Sequence, residues 1–193
     1  MKTLIQQITS IVKGGYQILN LKSDWCTHIG NTTTAFLWAL LLNLVTIPLS
    51  VYVFPETADP VHQLPNFDQL ALGLLMNVIM LVVVFLLALA HRRRHKFALI
   101  YAGATYVMFI ITSVLWGVEA LMTIYEHSLY AQDAPLLARG VLMLTVIWMV
   151  VAISFVFKTA LEIRAAISLL MACILLFALV VGQQFLQLTL FSA

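Results

Sequence analysis

Charge is the scarcest property of this chain. Only 9% of its 193 residues are Asp, Glu, Lys or Arg, while 63% are hydrophobic. An ordinary soluble domain carries about 25% charged residues. Polar groups this few cannot cover a water-exposed surface, so the composition calls for a bilayer as solvent. Cysteine is nearly absent as well. Cys26 and Cys173 are the two present, too few for a disulfide framework, and both read as free thiols. Alternating polarity is also missing from the long apolar runs, which are about twice as long as a barrel strand needs; this excludes a transmembrane β-barrel.

The usual signatures of chemistry are missing too. The sequence holds no P-loop, nucleophile elbow, C-x-x-C-H haem site or Rossmann fingerprint. His91 and His95 are four residues apart, but the three arginines between them repel a cation. No metal, cofactor or catalytic set is expected. The eight methionines are scattered through apolar runs, where this flexible side chain fills gaps in a core.

What is present is a series of long apolar segments. A membrane-spanning helix needs about 20 mostly apolar residues. Five stretches qualify, at about 34–54, 70–90, 98–122, 136–157 and 167–190. The expected fold is therefore all-α: a bundle of five transmembrane helices over residues 33–193, preceded by a cytoplasmic segment at 1–32. The proline- and acid-bearing stretch "PETADPVHQLPNFD" and the polar "YEHSLYAQDAP" read as loops. Residues 1–22 lack the continuous apolar core and cleavage site of a secretory signal. The first span is then expected to act as an uncleaved signal anchor.

The few charges are distributed unevenly. With the N-terminus inside, five spans put Lys2, Lys13, Lys22, Arg92, Arg93, Arg94, Lys96, Lys158 and Arg164 on the inner face, leaving Arg139 as the outer exception. Nine against one is the asymmetry expected when cytoplasmic loops hold the Lys and Arg. The expected location is a bacterial inner membrane, with the N-terminus cytoplasmic and the C-terminus outside. "HRRRHK" at 91–96 then fixes orientation. Its Arg92, Arg93, Arg94 and Lys96 are candidates for contact with anionic headgroups or a partner, at about 1 kcal/mol per charge for lipid. Six residues supply no extended groove, so nucleic acid is not an expected partner.

Before the first span, Leu4, Ile5, Ile8, Ile11, Val12, Tyr16 and Leu19 recur at helical spacing, with polar residues filling much of the other side. This predicts an amphipathic helix in the headgroup plane, weakened or bent at Gly14 and Gly15. Trp25 and Trp38 fit an interfacial belt.

No ionisable residue falls convincingly at mid-membrane. Glu119 lies roughly 32 Å along the third span, at its outer boundary, level with Arg139, and the two can pair. Asn43 and Asn77 fall near mid-depth of adjacent antiparallel spans and can meet. Gln183 and Gln184 adjoin on the last span, so one should face a neighbour. Thr105, Thr112, Ser113, Thr145, Ser154 and Ser168 complete the polar set. Such groups in hydrocarbon seek partners on other helices. Pro48 is expected to kink the first span, with Thr46 and Ser50 re-satisfying the freed backbone. Ser113 and Gly117 form one small-xxx-small pair.

The layout resembles the Yip1 family of membrane proteins. "LKSDW" at 21–25 is similar to the stretch preceding the first span in bacterial members. "TVIWMVVAISFVFKTALEIRAAISLLMACILL" at 145–176 looks like their final helical pair. The resemblance implies a five-span membrane scaffold or adaptor and supplies no catalytic residues. The leading expectation is a non-enzymatic integral membrane protein, assembling with itself or as a small subunit of a larger complex. A transporter or channel component with a polar path through Asn43, Asn77, Thr105 and Gln183 is the alternative. A lipid-acting enzyme using Glu119, His127 or the outer loops is the third reading.

Overall fold

The computed structural model describes residues 4–29, 33–53, 66–126 and 134–190, and they are helical almost throughout. In chain order the helices are α1 (Leu4–Leu19), α2 (Trp25–Ile29), α3 (Thr33–Val53), α4 (Asn66–Ala90), α5 (Phe97–Glu126), α6 (Ala134–Leu161) and α7 (Ala165–Leu190). A 3-10 turn, Arg94–Lys96, joins α4 to α5. Four helical stretches are long and apolar enough to cross a membrane: Phe67–Ala90, Arg94–Val118, Gly140–Leu161 and Ala165–Thr189. The 30 residues of α5 extend about 45 Å, against a hydrocarbon core of about 30 Å. Helix α3 has 21 residues and continues through Pro48. Thr46 donates to its own Leu42 carbonyl at 2.7 Å, not to the Leu44 carbonyl that Pro48 frees. The side chain of Ser50 lies outside the described residues.

Side-chain contacts fix the helix directions. Phe36 of α3 packs on Phe97 of α5, and seven residues later Asn43 reaches Tyr101 and Thr105, so α3 and α5 run parallel. Asn43 also meets Asn77, while Ile47 packs on Gly73, so α4 runs against α3. Ser154 meets Ser168 across the antiparallel α6–α7 pair.

The bundle is tightly packed at the end that carries Arg92–Arg94. Residues 99–107 of α5 form an unbroken buried run. Ala35, Ala39, Ala88, Ala102, Ala104, Ala152, Ala160 and Ala172 are all buried there. Small residues let helix backbones approach, which is how helices gain packing energy where lipid removes the hydrophobic drive. Farther along, Leu142, Met143, Leu144 and Ile147 of α6 are exposed, and a β-carbon on Gly117 or Gly140 would meet nothing within 4 Å among the described residues. The Ser113–Gly117 pair therefore makes no close helix contact at Gly117. Ser113 instead bonds its own Phe109 carbonyl.

Residues 4–29 are packed into this tight end. Ile18, Trp25 and Ile29 belong to the same core cluster as the long helices. Helix α1 passes through Gly14 and Gly15 without interruption. A β-carbon on Gly14 would lie 2.5 Å from Ile29, and one on Gly15 would lie 3.1 Å from Ile110. The glycines that the sequence marks as weak points are thus contact points, where close packing offsets the helix penalty. Val12 and Tyr16, from the apolar face, stay exposed.

Trp25 departs from the interfacial expectation. It is fully buried, and its ring stands 3.1 Å from where a Gly103 β-carbon would be. Its Nε1 donates to Thr159 Oγ1 at 2.8 Å. The slot at Gly103 accommodates the ring, and Thr159 satisfies its one donor, which a buried indole requires.

Three helix ends at the tight end share one device. Leu21, Arg92 and Glu162 have φ of 53°, 56° and 57°. After α1, Lys22 N–H reaches Gln17 O and Leu21 N–H reaches Ile18 O; after α4, Arg93 reaches Ala88 and Arg92 reaches Leu89; Ile163 reaches Lys158 after α6. These are left-handed helix stops that satisfy carbonyls the helix leaves open.

Gly103→Leu is expected to be destabilising by at least about 1–3 kcal/mol, because it must displace Trp25 or Val156. Gly117→Leu should be neutral or stabilising, since it gains helix propensity in open space. Thermal melts of both variants in one detergent check the contrast, and equal melting of the two would contradict it.

Candidate functional site

Polar side chains from three helices converge in a knot made by Asn43 of α3, Asn77 of α4, and Tyr101 and Thr105 of α5. Tyr101 and Thr105 are one helical turn apart and share a face of α5. Both are fully buried. Tyr101 Oη donates to Asn77 Oδ1 at 2.7 Å and accepts from Asn43 Nδ2 at 2.8 Å. Asn43 Nδ2 also stands 3.3 Å from both Asn77 Oδ1 and Thr105 Oγ1. The amide has two hydrogens. One is committed to Tyr101, and the two longer contacts share the other. A hydroxyl that donates and accepts at once polarises both bonds, and the low dielectric strengthens each.

Aromatic packing holds the knot on the side toward Arg94–Lys96. Phe36 lies 5.2 Å from the Tyr101 ring and 5.7 Å from Phe97, which is itself 6.1 Å from Tyr101 and 5.7 Å from Phe85. These spacings are in the range of favourable aromatic pairs. They restrict the Tyr101 ring and so aim its hydroxyl.

The structure brings Asn43 and Asn77 together. It leaves Gln183 and Gln184 exposed on α7. The side chains of Glu119 and Arg139 lie outside the described residues, as does His127. Of the basic loop, Arg92 and Arg94 are exposed, while Arg93 donates to Glu162 at 3.3 Å. That exposed pair contributes little energy, but it ties the α4–α5 turn to the α6–α7 turn. No group of three or more His, Cys, Asp or Glu that could hold a metal occurs among the described residues.

Two features were not singled out from sequence. Tyr101 stands in an apolar run, and its i,i+4 relation to Thr105 is the one local signal of its role. The Trp25–Thr159 bond joins residues 134 apart, and no local pattern announces it. Nearby, Cys26 is half-buried, and burial pushes its thiol up from the ordinary value, with the Lys96 ammonium pulling partly the other way. Gln17 is buried against the bundle with its Oε1 unpaired among the described residues.

No protein-family model matches the chain, and no curated protein or solved structure matches it.

Two outcomes follow from this geometry. Tyr101→Phe should cost about 0.6 kcal/mol and at most about 1.7, the mean and maximum measured for interhelical hydrogen bonds in a membrane, and Asn43→Leu should cost more because it breaks every hydrogen bond of the knot to α3. Unfolding in mixed detergent measures both, and an unchanged Asn43→Leu protein would remove the knot as a stabilising element. In a Cys173→Ser background, alkylation of Cys26 by a water-soluble maleimide should reach half its maximal rate at a higher pH than a fully exposed thiol does. Burial disfavours the reactive thiolate; a midpoint at or below that of the exposed thiol would contradict this.

Proposed function

We propose that this chain is a non-enzymatic integral membrane scaffold that assembles with other membrane subunits or with itself. The observation that carries this reading is the state of the intrahelical polar groups. Asn43, Asn77, Tyr101 and Thr105 bond one another, Ser154 bonds Ser168, and Trp25 bonds Thr159. Thr46, Ser113, Thr145 and Thr189 bond carbonyls of their own helices. A solute path would need polar groups turned toward a channel, whereas these are turned toward each other.

The far end supplies the complementary feature. Leu142, Met143, Leu144, Val146, Ile147 and Trp148 are exposed. With about 100° between successive residues, they spread exposed apolar surface around much of α6 over residues 142–148. Gln183 and Gln184 stand exposed on α7, where an amide gains by meeting another helix.

In this reading α3 is a further span beside the four long ones, five in all, with α1 and α2 folded onto the cytoplasmic end. The N-terminus lies inside and the C-terminus outside, in a bacterial inner membrane. The Lys/Arg asymmetry supports this orientation. Kinship with the Yip1 family is part of the proposal. It rests on "LKSDW" and on the 145–176 stretch, and the Trp25–Thr159 bond links those two segments.

Gentle extraction into nanodiscs, followed by mass spectrometry of what co-purifies, tests the proposal. A stoichiometric partner chain or a defined homo-oligomer is expected, and Gln183→Leu should weaken it. A lone monomer that passes solutes in liposomes would replace this reading with transport.

A further inference from the structure

A second feature of the molecule lies outside the polar knot. Helix α1 packs on α5, and an apolar crevice of about 430 Å³ lies between α1, α3 and α5. Ile11, Val12 and Gly15 form one wall, Trp38 and Val45 another, and Phe109 part of the floor. That volume is within the range of small-ligand pockets, about 300–1,000 Å³. The crevice continues into a groove of about 370 Å³ on the same face of α3, with Trp38 and Leu41 common to both. The combined trough runs from Thr34 to Val45, roughly 16 Å at 1.5 Å per residue. One leaflet of a hydrocarbon core about 30 Å thick is about 15 Å deep. Leu37, Leu41, Leu44 and Val45 along it are all exposed, so it opens sideways rather than into the bundle.

The end of the trough near Thr34 is also the charged end. Phe36 touches Phe97 with ring centroids 5.7 Å apart, and Phe97 directly follows the Arg94–Lys96 turn. The Lys96 charge is felt by Cys26, just ahead of α3. The Arg94–Lys96 turn therefore lies at the depth where the trough begins, and a trough as long as one leaflet's acyl chain leads away from that level.

We propose that this trough binds one anionic phospholipid of the inner leaflet, with an acyl chain between α1 and α3 and the phosphate at Arg94 and Lys96. The assignment of leaflet rests on the orientation given under Proposed function; the binding itself does not. Covering the trough would shield Val12 and Leu41. It would also let α1 act as a strap over the lipid, holding it longer than an annular lipid is held.

Native mass spectrometry of the full chain released from nanodiscs tests this, with phosphatidylglycerol and phosphatidylcholine supplied in equal amounts. One phosphatidylglycerol per chain should be retained in preference to phosphatidylcholine. Arg94→Ala and Lys96→Ala should each lower that preference about fivefold, while Lys158→Ala, on α6 away from the trough, should not. Leu41→Trp, which fills the trough from a lipid-exposed position, should abolish retention with the melting temperature unchanged. Equal retention of both lipids, or the same loss from Lys158→Ala, would overturn the headgroup assignment. Full retention in Leu41→Trp would overturn the trough. A dimer that Leu41→Trp dissociates would make a second copy the occupant and overturn the lipid altogether. Lipid counts per chain are read whether or not partner subunits co-purify, so this result and the assembly result stand apart.

Discussion

A hydrogen-bonding group in hydrocarbon has no water to turn to, and this constraint organises the molecule. Each unpaired polar group in such surroundings costs several kcal/mol. The backbone answers with helices. The side chains answer in two ways. Thr46, Ser113 and Thr145 turn back onto their own helices, which settles them locally and leaves packing undecided. Asn43, Asn77 and Tyr101 cannot all do so, and their mutual bonds bring α3, α4 and α5 into one register.

The second requirement is close approach. Without a hydrophobic force between apolar helices in lipid, attraction comes from dispersion, which falls off within an ångström of optimal contact. The alanines and Gly103 at the basic end permit that contact, and Trp25 uses the space that Gly103 leaves. The far end has open glycines at 117 and 140 and exposed leucines beside them. Among the described residues the packing is thus tightest where the short connections lie. An apolar trough remains beside α1, along the exposed face of α3.

Much of this was legible in the sequence. The long apolar runs show themselves because a helix must be about 20 apolar residues long to cross hydrocarbon, and a run of that length survives any rearrangement of neighbours. The meeting of Asn43 and Asn77 was legible because both fall near mid-depth of consecutive spans, where an amide has few alternatives. Gly14 and Gly15 were read in the wrong sense. Propensity describes a helix in isolation, and these residues are chosen for the distance to Ile29 and Ile110. Trp25 was misplaced for a related reason: tryptophan favours interfaces on average, and the slot that captures it is built from residues 78 and 134 positions away.

The sequence by itself determined the solvent, the helical class and the approximate limits of the helices, because hydropathy and length act locally along the chain. It also determined the charge asymmetry between the two ends. Tertiary structure decided which faces of those helices meet. In a helix that is apolar all round, hydrophobicity cannot tell a buried face from a lipid-facing one. The choice passes to small residues and polar pairs, whose effect depends on what stands opposite. That is why Tyr101 becomes the centre of a three-helix knot, why Trp25 lies inside, and why a trough remains along α3.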